Sequence, residues 1–278
     1  MQKQYYQHIN KLLESEIDIA IRGRVRAILS ELKLTKGDKV LDAGCGWGYY
    51  PKLISKLPVR GYKLIGVDLD KKSVLQAKQS VSSNANISIK VGNLEKLKFK
   101  DNTFDKIILS EVAEHLPKES RVFDELLRVL KPNGYILITV PNHNYPIFWD
   151  PVNWVLEHIF NTHVSKGFWA GIWTNHIRLY YPDELINKLT GSGFVINKQR
   201  SLTLLCLPFN KNLLYGGKLP PSVSKKFIQQ IQSTQKPFWI QVLLFFVNVN
   251  DKLNQIFQTK DIGVSLFVKA YKNGEKNK

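Results

Sequence analysis

The chain has 278 residues, of which 44% are hydrophobic, and this is enough for one elaborated domain with a full core. It has 40 Lys and Arg residues against 23 Asp and Glu, which gives a net charge of +17. The basic residues are scattered, with small clusters such as "RGRVR" (22–26). This excess of positive charge suggests either binding to an anionic partner or simple solubility. Two cysteines exclude a disulfide framework and a four-cysteine zinc site and suggest a reducing, cytoplasmic setting. The N-terminal stretch lacks the pattern of a secretory signal, and no segment reaches the roughly 18 apolar residues of a membrane-spanning helix.

Helical and strand patterns alternate through the first half of the chain. Apolar residues at helical spacing predict a helix over residues 5–34, Pro51 fits the first turn of another, and further helices are predicted at 71–82 and 119–130. Five apolar runs predict strands, at 39–43, 63–69, 87–93, 104–110 and, after a "KPNG" turn, 135–141. Mostly apolar strands that alternate with helices are typical of a parallel sheet covered on both faces, so we predict a doubly wound α/β fold.

Two insertions interrupt this alternation after Pro141. Residues 142–180 hold four of the six tryptophans, and residues 207–260 form a second departure. Between them a helix that starts at Pro182 and a strand at roughly 194–205 resume the pattern, and "GVSLFVKAY" supplies a final strand. We therefore expect one domain over residues 1–278, with its core at 36–206 and 261–272.

The segment "LDAGCGWGYYP" is a buried strand that runs into a glycine-rich turn, a feature that holds nucleotide cofactors. A dinucleotide site has a third small residue where the helix packs close to the pyrophosphate, and Tyr49 takes that place here. The pattern is instead an acid followed by glycines at alternate positions: Asp42, Gly44, Gly46 and Gly48. The turn therefore favours a cofactor without a pyrophosphate.

Polar side chains follow the next two strands at their carboxyl ends. Asp68 ends the second strand, where a carboxylate can accept hydrogen bonds from two ribose hydroxyls, whereas Asp70 better fits the N-cap of the next helix. After the third strand, the Asn93 carbonyl can accept a hydrogen bond from an adenine amine, and Leu94 can cover the ring. These positions predict an adenosine-containing cofactor.

Four segments resemble, in order and spacing, the motifs of class I S-adenosylmethionine-dependent methyltransferases: "VLDAGCGWG", "GVDLD", "GNLEKLKFKDNTFDKIILSEVAEHL" and "LKPNGYILITVPN". The resemblance implies a Rossmann-like seven-stranded sheet, parallel except for its last strand, and S-adenosylmethionine as methyl donor. It implies that Gly44 and Gly46 let the backbone approach the methionine part and that Asp42 orders the loop and the bound amino group. It also implies that Asp68 holds the ribose and that Asn93 and Leu94 hold the adenine. The remaining implied cofactor contacts are Cys45, Gly48, Leu69 and Ser110.

The stretch "SEVAEHLP" lies at the carboxyl end of the fourth strand, where open α/β sheets bind ligands. If it is helical, Glu111, Glu114 and His115 share one face, and this donor set suits Mg²⁺ or a transition metal. The spacing is similar to that of ubiquinone-pathway O-methyltransferases and small-RNA 2′-O-methyltransferases, which implies a metal at these positions and a further histidine on the insertion. His176 and His143 are the candidates for that histidine, and we predict His115 and His176 as catalytic. The alternative is a helix start that forms a pocket wall without a metal.

The two insertions are the predicted sites of acceptor recognition. The aromatic residues of 142–180 favour a lid over an apolar or aromatic acceptor, with a packed subdomain as the alternative. "PFWIQVLLFFVNV" (237–249) is either a buried element or a peripheral contact with an anionic membrane. The sequence thus predicts methyl transfer to a small, apolar or lipid-like acceptor at oxygen. The alternatives are RNA 2′-O-methylation and a cofactor-binding scaffold without catalytic activity.

Overall fold

The computed structural model describes residues 2–174, 176–205 and 237–273. Its seven strands are β1 (Lys39–Ala43), β2 (Lys63–Asp68), β3 (Ile87–Val91), β4 (Phe104–Ser110), β5 (Leu130–Pro141), β6 (Phe194–Leu202) and β7 (Ser265–Lys272). They form one sheet in the order β3-β2-β1-β4-β5-β7-β6, in which only β7 is antiparallel to its neighbours. The predicted doubly wound, mostly parallel sheet is confirmed.

Helices cover both faces of this sheet. They are α1 (Gln2–Leu13), α2 (Ile19–Leu32), α3 (Tyr49–Ser55), α4 (Lys71–Ser80), α5 (Glu119–Val129), α6 (Pro151–Phe160), α7 (Pro182–Gly191) and α8 (Phe238–Ile256), with short 3₁₀ helices at Ala113–His115 and Phe168–Trp173. Alternate strand residues point to opposite faces, so Val40 joins a core with α1 to α4, whereas Leu41 joins a core with α5 and α7. The burial of both faces explains why the central strands β1, β4 and β5 are mostly apolar.

The prediction of one helix over residues 5–34 is wrong, because the chain breaks after Leu13. Asp18 is the N-cap of α2, and its carboxylate accepts hydrogen bonds from the amides of Ala20 and Ile21 at 2.8 and 3.1 Å. The apolar spacing continues across the break, so the pattern alone did not reveal it.

Strand β5 begins earlier than predicted. The "KPNG" segment was expected to form a turn before residue 135, but the strand starts at Leu130. Asn133 has a φ of +62°, and the pairing with β4 shifts in register between Phe104 and Lys106. The turn residues are thus accommodated as an irregularity within the strand.

Two arginines of α2 hold α8 against α2. The apolar segment 237–249 forms the first half of α8, whose Ile240 and Leu244 pack on Ile17. Deeper along the helix, the buried Asp251 accepts hydrogen bonds from both Nη atoms of Arg26 at 2.7 Å and lies 3.4 Å from Arg22 Nη1. The preceding part of this insertion, residues 206–236, lies outside the described residues. Among the helices of the described ranges, none has the length and apolar content needed to cross a bilayer.

The antiparallel direction of β7 brings both insertions to one edge of the sheet. The last residue of β5, Pro141, and the last residue of β6, Leu202, both pair with Ser265 at the start of β7. The insertion after β5 and the insertion between β6 and β7 therefore both leave the sheet at the carboxyl ends of the parallel strands. In open α/β sheets this is the edge that binds ligands.

Candidate active site

The glycine-rich turn connects β1 to α3 and is held by β2. The amides of Gly44 and Cys45 both donate to the Val67 carbonyl, at 2.8 and 3.0 Å. A Cβ atom at Gly46, where φ is +49°, would meet nothing within 4 Å, so the backbone there borders open space. A Cβ atom at Gly44 would lie 2.4 Å from a methyl carbon of Val112, so packing explains this glycine. The turn thus offers a bare backbone to a ligand at Gly46.

Two further predicted cofactor contacts lie within the packing of the turn. A Cβ atom at Gly48 would lie 3.0 Å from Ala77 of α4, so this glycine lets α3 and α4 approach each other. Cys45 is buried against Gly66 of β2, and burial raises the pKa of its thiol. Both residues therefore shape the turn.

The carboxylates of Asp42 and Asp68 flank the turn. Asp68 accepts hydrogen bonds from the amides of Gly46 at 2.8 Å and Asp70 at 2.9 Å. Asp42 is 2% exposed, and its Oδ2 has no hydrogen-bond partner among the described residues. Burial, together with the charge of Asp68, raises the pKa of Asp42 to about 8, so this carboxyl is largely protonated at neutral pH. The buried Asp42 oxygen without a hydrogen-bond partner and the accessible backbone at Gly46 fit a cofactor that carries positive charge.

The predicted helix cap at Asp70 is confirmed, and the ribose contact of Asp68 stays a prediction. Asp70 is the N-cap of α4, and its carboxylate accepts from the amides of Lys72 and Ser73 at 3.3 and 2.9 Å. Between the two acids, Leu69 is 70% exposed at the edge of the sheet. An exposed leucine there can cover an adenine ring.

The predicted adenine contacts after β3 are less open than expected. The Asn93 side-chain oxygen accepts a hydrogen bond from the Glu95 amide at 2.9 Å, and Leu94 is buried in the core that includes α5. The exposed apolar surface in this region therefore comes from Leu69.

Ser110, at the end of β4, is part of a chain of hydroxyl groups. Its Oγ lies 2.9 Å from the Tyr50 hydroxyl and 2.7 Å from the Thr139 hydroxyl. These bonds join α3, β4 and β5 directly beneath the glycine-rich turn and fix the point at which the next segment begins.

The segment after Ser110 does not form the continuous helix on which the predicted metal site depended. Only Ala113–His115 is helical, and Glu111 precedes it with a φ of +55°. The carboxylate of Glu111 instead pairs with Arg24 of α2, at 3.2 Å. Glu111 is thus separated from the other two predicted ligands.

Glu114, His115 and His176 do come together, with one donor atom of each within 4.8 Å of the others. The Oε1 atom of Glu114 lies 3.7 Å from His115 Nε2 and 3.9 Å from His176 Nε2. Glu114 is fully buried, and neither of its carboxylate oxygens has a hydrogen-bond partner in the described ranges. Burial, followed by the charge of Glu111, raises its pKa well above the usual value.

The other candidate histidine, His143, lies apart from this cluster in a different contact. Its ring stacks on Tyr181 with 4.1 Å between the ring centroids, and the Tyr181 hydroxyl lies 3.2 Å from its Nε2. Of the two candidates, His176 is therefore the one that joins Glu114 and His115.

A cavity of about 320 Å³ opens beside this cluster. It lies between the start of α2, the carboxyl ends of β4 and β5, the start of β7 and the aromatic insertion. Its lining residues are Asp18, Ala20, Ile21, Arg24, Glu111, Pro141, Trp149, Asp150, Gly171, Ile172, His176, Val264 and Ser265. The link from the cavity to the glycine-rich turn runs through the chain, because the lining residue Glu111 precedes Val112, which packs against Gly44.

The aromatic insertion forms one wall of the cavity and has a small core of its own. Tyr145, Ile172, Trp173 and Leu179 pack together. Asp150 secures the wall, because its Oδ2 accepts from the Asn153 amide group at 2.8 Å and from the Ile172 backbone at 3.0 Å. The insertion is thus both a packed unit and a cavity wall.

Arg24 is the cavity residue that the sequence analysis missed. The cluster "RGRVR" was interpreted as surface charge, but Arg22 and Arg26 bind Asp251, and Arg24 binds Glu111. The signal was available in part, since basic residues within an apolar helical pattern are buried only when they are paired. Their partners are distant in the sequence and could not be named from it.

A family model described as a methyltransferase domain matches residues 41–138. A probable S-adenosylmethionine-dependent methyltransferase of Mycolicibacterium smegmatis is 35% identical over 106 residues, which cover 38% of this chain and 39% of that protein. Demethylmenaquinone methyltransferase of Staphylococcus aureus is 24% identical over 204 residues, which cover 71% of this chain and 83% of that protein. The solved YcgJ protein of Bacillus subtilis shares the fold, with a TM-score of 0.53, 20% identity and coverage of 87% and 94% of the two chains.

The fold and the glycine-rich turn define a Rossmann-like protein that binds a nucleotide-type cofactor. The chain contains a methyltransferase domain over residues 41–138, and its relatives and its fold support a class I S-adenosylmethionine-dependent methyltransferase.

Replacement of Asp68 by Ala tests the cofactor site. The variant loses the carboxylate that fixes the Gly46 amide, so we expect affinity for S-adenosylmethionine to fall by at least about 10-fold, as measured by isothermal titration calorimetry. The matched control is Asp70→Ala, which removes a helix cap and should lower the unfolding temperature while affinity stays close to wild type. Equal losses of affinity in both variants would contradict the assignment.

Proposed function

We propose that the protein transfers a methyl group from S-adenosylmethionine to an oxygen of a small, lipid-like acceptor. The observation that carries this proposal is the cavity of about 320 Å³ at the carboxyl ends of β4 and β5, lined by Glu111 and His176. Its volume is at the lower end of the range for small-molecule sites, and a nucleic-acid strand would need a longer, open groove.

The lining of the cavity supports an acceptor with an apolar body. Ile21, Pro141, Trp149, Ile172 and Val264 supply apolar surface from four different elements. A few polar groups converge on the same space, which is the usual pattern of sites that orient an apolar ligand. The name of the Staphylococcus aureus relative, demethylmenaquinone methyltransferase, favours a lipid quinone or quinol as the acceptor type and does not specify oxygen as the methylated atom.

The histidine cluster is proposed to remove the proton of the acceptor hydroxyl. When bound, the cofactor supplies a methyl group that is already activated by the positive sulfur. The protein must then align the acceptor oxygen with the S–CH₃ bond, exclude water and accept the released proton. His176 lines the cavity and faces the buried Glu114, with the ring of His115 5.1 Å away between centroids.

The same three side chains fit a divalent cation. The distances of 3.7 and 3.9 Å from Glu114 to the two imidazoles exceed hydrogen-bond length, but they suit ligands that share one ion at about 2.0–2.2 Å. The sequence pattern allows either Mg²⁺ or a transition metal. Two imidazoles and one carboxylate favour Zn²⁺ or another transition metal over Mg²⁺. Such an ion would lower the pKa of an acceptor hydroxyl beside it.

Replacement of Glu114 by Gln tests the metal site. Because the variant removes the only charged ligand, we expect Zn²⁺ affinity of the cofactor-free protein to fall by at least about 10-fold in a calorimetric titration. Asp101→Asn, at an exposed carboxylate, is the control and should bind Zn²⁺ as the wild type does. Unchanged Zn²⁺ binding by Glu114→Gln, or full methyl transfer in EDTA, would count against a metal and leave His176 as the proton acceptor.

The outward face of α8 supports contact with a membrane interface. Phe238, Phe245, Phe246 and Ile256 are each more than 60% exposed, and the helix carries no charged residue before the buried Asp251. A helix with an exposed apolar face lies in the plane of the interface, and the net positive charge of the chain favours anionic lipid. Because α8 packs on α2, which lines the cavity, this surface would bring the cavity near a lipid-like acceptor.

Liposome flotation tests the membrane contact. We expect the wild type to float with vesicles that contain anionic lipid, and Phe245→Ser/Phe246→Ser to remain at the bottom of the gradient. Leu75→Ser/Val195→Ser is the matched control, because these apolar side chains have similar exposure on other surfaces and should not affect flotation. Absence of wild-type protein from both anionic and neutral vesicles would contradict the proposal.

A methyl-transfer assay tests the reaction itself. Labelled S-adenosylmethionine is incubated with the protein and with lipid, RNA and small-molecule extracts, and we expect label in the lipid fraction. His176→Ala should lower the initial rate by about 100-fold or more, whereas His143→Ala, outside the cavity, should keep the wild-type rate. Label in RNA would favour 2′-O-methylation, and label in no fraction would favour a scaffold.

A further inference from the structure

Glu111 lies in the cavity in a backbone conformation that glutamate rarely adopts. Its φ of +55° is in the left-handed region, where a side chain is strained. The neighbours hold it there, because Ser110 is bonded to Tyr50 and Thr139 on one side and Val112 packs against Gly44 on the other. Strained residues of this kind concentrate at sites that bind ligands.

The carboxylate of Glu111 is satisfied at only one of its two oxygens. Oε2 pairs with Arg24 Nη1 at 3.2 Å, and the same nitrogen also reaches Ser265 Oγ at 3.3 Å. Oε1 is excluded from solvent and has no hydrogen-bond partner in the part of the chain that the structure describes. A buried acceptor without a donor is costly, and both Glu111 and Arg24 line the cavity. Because Glu111 lines the cavity, a donor bound there can supply the missing hydrogen bond once the carboxylate turns toward it.

We propose that Glu111 selects the acceptor by accepting a hydrogen bond from one of its hydroxyl groups, with Arg24 as the positioning residue that aims the carboxylate. This inference rests on the proposed function, because it takes the cavity as the acceptor site, and it assigns recognition of the acceptor hydroxyl to Glu111. A ketone or an ether offers Glu111 no donor, and an anionic group is repelled by its charge. For a quinone-type acceptor, the reduced, hydroxylated form is the one that is recognised.

The selectivity of such a contact is expected to be large. A site built to receive a substrate hydroxyl rejects the analogue that lacks it, since the buried polar group is then left without a partner. Arg24 contributes by keeping the Glu111 carboxylate in one orientation. Replacement of Arg24 therefore weakens the preference for a hydroxyl-bearing ligand but leaves the Glu111 oxygen that accepts the hydrogen bond in place.

A pair of ring compounds that differ in one donor provides the test. The protein is saturated with S-adenosylhomocysteine and titrated with 1-naphthol or with 1-methoxynaphthalene, which has the same ring system and no hydroxyl. We expect the wild type to bind 1-naphthol at least about 10-fold more tightly. Glu111→Gly should bind the two compounds equally, and Arg24→Met should show an intermediate ratio.

Lys33→Gly is the matched control. Lys33 also has a positive φ, of +41°, and lies outside the cavity, so Lys33→Gly relieves backbone strain without changing the acceptor site and should keep the wild-type discrimination. Glu111→Gly also removes the ion-pair partner of Arg24, so it should unfold at a lower temperature than Lys33→Gly. Only Glu111→Gly should lose discrimination, with its affinity for S-adenosylmethionine unchanged. A purely structural role for Glu111 would lower the unfolding temperature and leave the preference for 1-naphthol as in the wild type.

The outcomes separate this inference from the proposed function. Equal binding of the two compounds by the wild type, binding of neither, or full discrimination by Glu111→Gly would overturn the role of Glu111 even if methyl transfer to lipid is observed. Discrimination that depends on Glu111, in a protein that transfers no methyl group, would support the hydroxyl contact and contradict the proposed reaction.

Discussion

The attachment of helix α2 through its three arginines is the interaction on which the rest of the structure depends. Arg22 and Arg26 share the buried Asp251 of α8, and Arg24 reaches Glu111 at the end of β4. Removal of one partner from a buried ion pair of this kind commonly costs about 3–5 kcal/mol, because it leaves a charge without compensation. One helix thereby fixes the second insertion on one side and the cavity on the other.

The central sheet and the cofactor turn could be predicted from the sequence because their signals are local. Apolar runs buried on both faces gave the strands, and glycines with acids at strand ends gave the cofactor site. The helix boundary at Asp18 was missed because the apolar spacing is continuous across it. The position of Glu111 was missed because its conformation is set by Thr139 and Val112 rather than by helix propensity.

The pairing of distant charges was also beyond local reasoning. Nothing in "RGRVR" indicates that Asp251 lies against it, and nothing in the apolar segment of α8 indicates which of its faces is buried. The meeting of His176 with Glu114 could be anticipated only as one of two options, since it depends on the path of the aromatic insertion. Contacts between elements far apart in the chain are set by packing, for which a single sequence gives no direct signal.

The two regions of the site share an electrostatic character. Asp42 beside the glycine-rich turn and Glu114 beside the cavity are both buried carboxyl groups with raised pKa values and oxygens without partners among the described residues. Each keeps a proton more readily than a carboxyl in water, and each would ionise next to a positive charge. A positively charged methyl donor beside Asp42 would therefore stabilise the ionised form of that carboxyl group. A cation or a protonated imidazole beside Glu114 would do the same there.

The direction of the last strand has a consequence for how such a protein can change over time. Because β7 runs against β5 and β6, both insertions leave the sheet at one edge, while the donor turn is built from β1, β2 and their loops. Under the proposed function, substitutions, lengthening or exchange of the insertions would change the wall of the cavity without changing the strands and loops of the glycine-rich turn.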